Sequence, residues 1–178
     1  LARLRRSDHL RLTQANVYII PSRAGWALAL TLSVPLVAAI NYQLNLGYLL
    51  TFLLAGAAAA SMVAGHSNLR GTQLHLMPPA GGFAGQACAF DVVLHNDSAR
   101  TRWGLGLALR GNAPAGAATA DFTWVDIPAQ SDTTARLSFT PLRRGRQALP
   151  VVTILTRYPL GTFRVWALWR PATEVWIY

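Results

Sequence analysis

From Ala24 to Gly65 the chain runs 42 residues without an Asp, Glu, Lys, Arg or His. This stretch constrains the fold more than any other feature, because a run this apolar must lie in lipid or be wrapped by protein. It divides into two segments, "AGWALALTLSVPLVAAI" and "LLTFLLAGAAAASMVAG", joined by the uncharged "NYQLNLGY" of residues 41–48. At 1.5 Å per residue, a helix through Ala24–Ile40 rises roughly 26 Å and one through Leu46–Gly65 about 30 Å. A bilayer's hydrocarbon core is about 30 Å thick, so the second fits and the first is slightly short. Pro35 lies inside the first run, where a membrane helix tolerates it better than a soluble one.

A soluble helix would show an apolar stripe of period 3.6 opposite a polar face. Neither "LALTLSVPLVAAI" nor "TFLLAGAAAASMVA" has a polar face. The remaining ~110 residues are too few to enclose two all-apolar helices. A cleavable signal peptide fits poorly, since the first run begins 23 residues in and a second follows at once. The expectation is a transmembrane hairpin with spans at about 24–41 and 46–65. Arg23, Trp26, Tyr42 and Tyr48 stand at its ends, where cationic and amphipathic side chains favour the membrane interface.

Five of the sixteen basic residues, all of them Arg, precede the first span: Arg3, Arg5, Arg6, Arg11 and Arg23. Arg70 follows the second span, and the connecting turn has none. The positive-inside rule then places residues 1–23, as a basic segment, and the chain after the hairpin in the cytoplasm. Gly56, Ala60 and Ala64 recur every four positions and would permit close helix contact. In an Ala-rich chain, composition alone accounts for that spacing as well.

From Thr72 onward the pattern alternates. Cys88, Phe90, Val92 and Leu94 fall on one face of a strand; so do Trp103, Leu105, Leu107 and Leu109, then Ala135, Leu137 and Phe139, then Phe163, Val165, Ala167 and Trp169. Trp103, Trp124, Trp166 and Trp169 read as core or interface positions. Turn-forming "PPAGG", "HNDS", "GNAPAG" and "RRGR" separate the runs. About seven or eight strands in ~105 residues match an immunoglobulin-like sandwich over 72–178. The fold expected is therefore a two-helix transmembrane hairpin followed by an all-β immunoglobulin-like sandwich. Cys88, the only cysteine, is a core residue that can form no internal disulfide.

Chemistry is hard to place on this chain. "AGGFAG" at 80–85 lacks the Gly-Lys-Ser/Thr of a phosphate loop and reads as a turn. His9, His66, His75 and His95 lack metal-site spacing. His75 and His95 could face each other across neighbouring strands, yet no carboxylate or cysteine partner is evident. Adjacent Ser7, Asp8 and His9 cannot reproduce a catalytic triad. Seven acidic residues, with no carboxylate pair placed for acid–base work, argue against an enzyme, and no cofactor is implied. The excess of Arg over acid is explained by topology and anionic lipid without nucleic acid.

Several segments in order resemble the N-terminal half of the domain of unknown function 58 family: "VYIIPSRAGW", "AAINYQLNLGYLLTFLLAG", "SNLRG" and "PLRRGR…TRYPLGTFRVW". The resemblance covers nearly all of residues 15–178. It implies a bacterial inner-membrane protein, multi-pass, with both termini cytoplasmic, working beside a MoxR-type AAA+ ATPase in assembly or chaperone-like tasks. Family members usually continue into a von Willebrand factor A-type domain; this sequence stops at Tyr178, which reads as a fragment or a short member. On this reading the protein is a membrane-anchored, non-enzymatic scaffold. Its partner surface would lie near Arg143, Arg144 and Arg146, and near Tyr158, Pro159 and Gly161, although Pro159 and Gly161 also suit a simple turn. The rival readings are an extracytoplasmic ligand- or envelope-binding β-domain, a hydrolase, and a membrane-tethered nucleic-acid binder.

Overall fold

The computed structural model describes residues 6–110 and 122–178. Arg3, Arg5 and the "GNAPAG" turn lie outside the described residues. Two long apolar helices are followed by a β-rich region of several sheets, none closed into a barrel.

Two short strands come first, β1 (His9–Arg11) and β2 (Tyr18–Pro21). Helix α1 spans Arg23–Tyr42 and α2 spans Asn45–Leu69. Ser22 caps α1, its Oγ accepting from the Gly25 N–H at 3.0 Å, which satisfies one of the donors a helix start leaves unpaired. Gln43 ends α1 in the left-handed conformation (φ 52°). The joint between the helices is thus Gln43 and Leu44 alone, far tighter than the expected turn over 41–48. At its other end α2 continues to Leu69, past the expected stop at Gly65. Gly47 approaches Ala39 closely, a Cβ added there lying 2.8 Å from the Ala39 Cβ. By contrast, a Cβ on Gly56 would meet nothing within 4 Å. The Gly56, Ala60, Ala64 spacing is therefore not the helix contact.

After the hairpin come β3 (Gln73–Leu76), β4 (Cys88–Asn96), β5 (Arg102–Arg110), β6 (Thr123–Ile127), β7 (Ser131–Phe139), β8 (Gly145–Ala148), β9 (Val151–Thr156), β10 (Phe163–Trp169) and β11 (Glu174–Ile177). A four-stranded sheet runs β1-β3-β4-β7, a five-stranded sheet β2-β10-β9-β5-β6, and β8 pairs with β11. Alternation in β4 and β7 sends Phe90, Val92, Leu94, Ala135 and Leu137 into a core they share with Leu105, Leu107, Ile154 and Val165 of the other sheet.

The N-terminal segment is not a separate tail. β1 pairs with β3 and β2 with β10, so it adds an outer strand to each sheet. Trp169 Nε1 donates to the Ser7 carbonyl at 2.7 Å, and Asp8 accepts from the Ala172 and Thr173 N–H groups at 2.9 and 2.8 Å. Burial raises the Asp8 carboxyl, but these N–H groups, Thr173 foremost, outweigh it and hold it below the usual range. The helical hairpin is thus an insertion between two strands of one β region.

Trp103 and Trp124 differ from expectation. β5 is bulged between Arg102 and Leu105, with Gly104 at φ 58°, so the side-chain alternation slips and Trp103 turns outward, 48% exposed. Trp124 lies across Gly106 on the outer face, where a Cβ would sit 2.9 Å from its ring, and it too is exposed. "RRGR" is not a hairpin turn: it leads into β8, whose partner is β11.

Candidate functional site

Ser22, Ser61 and Asn68 mark the place where the hairpin meets the sheets. Ser61 of α2 and Thr162, just before β10, share a buried hydroxyl–hydroxyl bond of 2.8 Å. Ser22 Oγ donates to the Gly161 carbonyl at 2.6 Å, and the Ser22 N–H to the Thr162 carbonyl at 2.9 Å. Two glycines permit this approach: a Cβ on Gly25 would collide with the Thr162 carbonyl, and one on Gly65 would lie 2.8 Å from the Tyr158 carbonyl.

One turn further down α2, Asn68 fills the bulge in β5. Its Nδ2 donates to the Trp103 carbonyl at 2.8 Å, and its Oδ1 accepts from the Trp103 N–H at 3.0 Å. A bulge removes a residue from the sheet ladder, and Asn68 replaces what Trp103 loses. Buried Arg102 then closes the helix end. Its Nη1 reaches the carbonyls of Ser67, Asn68 and Arg70 at 3.1, 2.7 and 2.7 Å. These are carbonyls that a helix C-terminus leaves unpaired, and a cation there also complements the helix dipole. Burial pulls the Arg102 guanidinium down from its usual value, yet arginine stays charged in proteins. Its Nε donates to Asn96 Oδ1 at 2.7 Å. Asn96, fully buried in β4, donates in turn to the Arg100 and Pro128 carbonyls at 2.9 Å each.

Beyond this seat the helices are bare. Of the residues in the most apolar stretch of α1, 6% are buried, and in that of α2, 11%. Trp26 stands exposed at the start of α1, beside exposed Arg23, while Tyr42 lies exposed at the far tip near half-buried Tyr48. An apolar groove of about 480 Å³ runs between the helices, lined by Leu32, Leu36, Phe52 and Ala55 and closed at its base by Thr162 and Phe163.

The two segments expected to form a partner surface lie at opposite ends of β9. Tyr158, Pro159 and Gly161 form the β9–β10 turn, with a cis Tyr158–Pro159 bond and Gly161 at φ 70°. Their backbone is packed against both helices, while the Tyr158 ring remains outside. Arg143, Arg144 and Arg146 sit at the end away from the hairpin, near exposed Leu142 and around a shallow depression. Arg146 pairs with Glu174 at 2.7 Å.

Histidine partners also differ from expectation. His75 stacks on His9 of β1, ring centres 4.2 Å apart, rather than facing His95. His95 does have carboxylates: Asp97 two residues further along the chain and Asp132 directly across from it on β7. The Asp132 hydrogen bond, then that of Asp97, raises the imidazole above its ordinary value. Among the described residues, no group of three or more His, Cys, Asp or Glu is arranged to hold a metal.

Part of the signal for the seat was present: Ser61 breaks the apolar run of α2, Asn68 lies in the polar stretch 66–68 at its end, and Arg102 opens an apolar strand. Compared with protein-family models and with curated proteins, the chain has no match.

Proposed function

We propose that the hairpin spans a membrane and holds an immunoglobulin-like β-sandwich against one of its faces, as a non-enzymatic interaction module. The observation that carries this reading is the bareness of two long apolar helices on an otherwise well-packed protein. More than a dozen large apolar side chains on the hairpin are exposed. At roughly 1.5 kcal/mol for each one left unburied, the hairpin in water would forgo about 20 kcal/mol, more than the ~5–15 kcal/mol that separates folded from unfolded protein. An apolar surface of this extent marks a membrane or protein contact, and the lengths suit a bilayer.

Both flanks of the hairpin enter one β region, so they share one side of the membrane. The arginines before the first span and the bare turn favour the cytoplasmic side. With the hairpin held by Asn68, Arg102 and Ser61, the module keeps a fixed orientation. Its far end, carrying Arg143, Arg144 and Arg146, then points away from the bilayer toward a soluble partner. The segments resembling the domain of unknown function 58 family support a MoxR-type ATPase in that role, at a bacterial inner membrane.

The test fuses reporters to the C-terminus, one active only in the cytoplasm and one only outside it, with carbonate extraction of the same membranes. Cytoplasmic signal from an extraction-resistant protein is expected. Signal from outside would reverse the topology and favour an envelope-facing binding domain. Release by carbonate would refute the membrane hairpin itself.

A further inference from the structure

The hairpin is longer than the part of it that is free to cross a bilayer. Thr162 fixes the level at which the β region meets the helices, since it touches both Gly25 of α1 and Ser61 of α2. Beyond that level, Gly25–Tyr42 rises roughly 26 Å and Asn45–Ser61 about 24 Å. The rest of α2, from Ser61 to Leu69, runs down beside the sheets, where Gly65 meets the Tyr158 carbonyl and Asn68 meets Trp103. A hydrocarbon core of about 30 Å exceeds both free lengths, so either the bilayer thins or the end of the β region sinks into it.

What stands at that end is suited to sinking. The β9–β10 turn puts Tyr158 and Leu160 outside, 41% and 58% exposed, one amphipathic and one purely apolar. Much of its backbone is already satisfied: Pro159 has no N–H, the Gly161 N–H bonds the Arg157 carbonyl at 2.8 Å, and the Tyr158 N–H bonds Thr156 Oγ1 at 3.2 Å. Around the turn stand three exposed arginines, Arg23 at the start of α1, Arg157 in the turn and Arg164 in β10. Among the described residues none of them is in an ion pair with a carboxylate.

We propose that this turn is a lipid-binding edge, with Tyr158 and Leu160 in the acyl–headgroup boundary and Arg23, Arg157 and Arg164 on the phosphates of anionic lipid. The inference rests on the hairpin spanning the membrane. Guanidinium groups suit this task because their planar donors match phosphate oxygens in pairs. Tyrosine and arginine at a span's end are the ordinary interfacial anchors, here supplied by a β turn as well as by the helices. The domain would therefore rest on the bilayer surface at two places, hairpin and turn.

The test uses the full chain in vesicles of phosphatidylcholine with phosphatidylglycerol. Leu160→Cys, Val34→Cys and Leu142→Cys are each labelled with a nitroxide, and collision with oxygen and with a water-soluble nickel chelate is measured. Cys88 is buried and burial raises its thiol, so it competes poorly for the label. Nickel access at 160 should be several-fold lower than at 142, approaching that at 34 in mid-span. Equal access at 160 and 142, with 34 protected, would overturn the lipid edge and leave the hairpin standing. Access at 34 as high as at 142 would instead refute the spanning hairpin. Omitting phosphatidylglycerol should raise nickel access at 160; unchanged access would overturn the assignment of the three arginines to anionic phosphates.

Discussion

Replacing Asn68 with Ala removes the side chain that bonds both backbone groups of Trp103 in the β5 bulge. Its amide gives Trp103 both a donor and an acceptor, at 2.8 and 3.0 Å. After the substitution the Trp103 carbonyl keeps only a long contact with Thr156 Oγ1, at 3.4 Å, and its N–H keeps nothing in its place. An orphaned buried donor costs roughly 1–3 kcal/mol, and the lost bond to the carbonyl about 0.5–1.5 kcal/mol. The expected loss is therefore about 2–4 kcal/mol, a large share of the ~5–15 kcal/mol typical of a folded domain. Asn68→Asp keeps the acceptor and turns the donor into a second oxygen facing a carbonyl, so it should be no better. The assay is urea unfolding of the full chain in nanodiscs, followed by tryptophan fluorescence, with hydrogen exchange at the Trp103 amide. Ser67→Ala is the control: Ser67 is exposed and its hydroxyl bonds only the Ala64 carbonyl within its own helix. It should change stability by less than about 0.5 kcal/mol. If Asn68→Ala falls within the same range, with Trp103 exchange unchanged, the bulge does not depend on Asn68 and the account of the seat is wrong.

Two glycines of α2 should respond in opposite directions. Gly65→Ala puts a Cβ 2.8 Å from the Tyr158 carbonyl, and should cost about 1–3 kcal/mol in the same unfolding assay, whereas Gly56→Ala enters open space and should be neutral or stabilising. Thr72 is fully buried, with its hydroxyl lacking a partner among the described residues, so Thr72→Val should raise stability by about 1 kcal/mol in urea titration. His95 should titrate above the ordinary histidine value of 6.5 by NMR, and Asp132→Asn should bring it back toward that value. Because its folded pKa is raised, its stabilising contribution is complete below 6.5 and is lost as pH rises through the folded value. The melting-temperature difference between wild type and His95→Gln should accordingly shrink as the pH is raised.

The elements legible in the sequence are those with a local signature. Alternation exposed the cores of β4 and β7 because both strands are long, regular and buried on one face. The apolar helices declared themselves by length. β1 and β2 did not, because they are three and four residues long and their partners are distant: β2 lies on β10, some 140 residues away. Trp103 was placed on the wrong face because Gly104 breaks the period of two, and no pattern of apolar residues records a bulge. The partners of His95 required the β4–β7 register, which sets His95 opposite Asp132. At the seat, the letters Ser61, Asn68 and Arg102 were visible, but their convergence depends on contacts spanning roughly a fifth to more than half of the chain.

That convergence ties the helices to both sheets. The chain leaves the five-stranded sheet at β2, makes both helices, and returns to the four-stranded sheet at β3. Each helix is therefore joined covalently to a different sheet. The polar network at the seat repeats the connection without covalent bonds: Asn96 belongs to β4 of one sheet, Arg102 to β5 of the other, and Arg102 holds the last carbonyls of α2. A flexible linker would let the β region rotate freely relative to the helices. Here a tilt of α2 must move Arg102, and Arg102 cannot move without disturbing Asn96 and the sheet behind it. A charge held this way is costly to displace, because any rearrangement leaves a buried guanidinium or several buried carbonyls unpaired. The orientation of the β region, and with it the direction in which Arg143 and Arg144 are presented, is thus set at the seat of the hairpin.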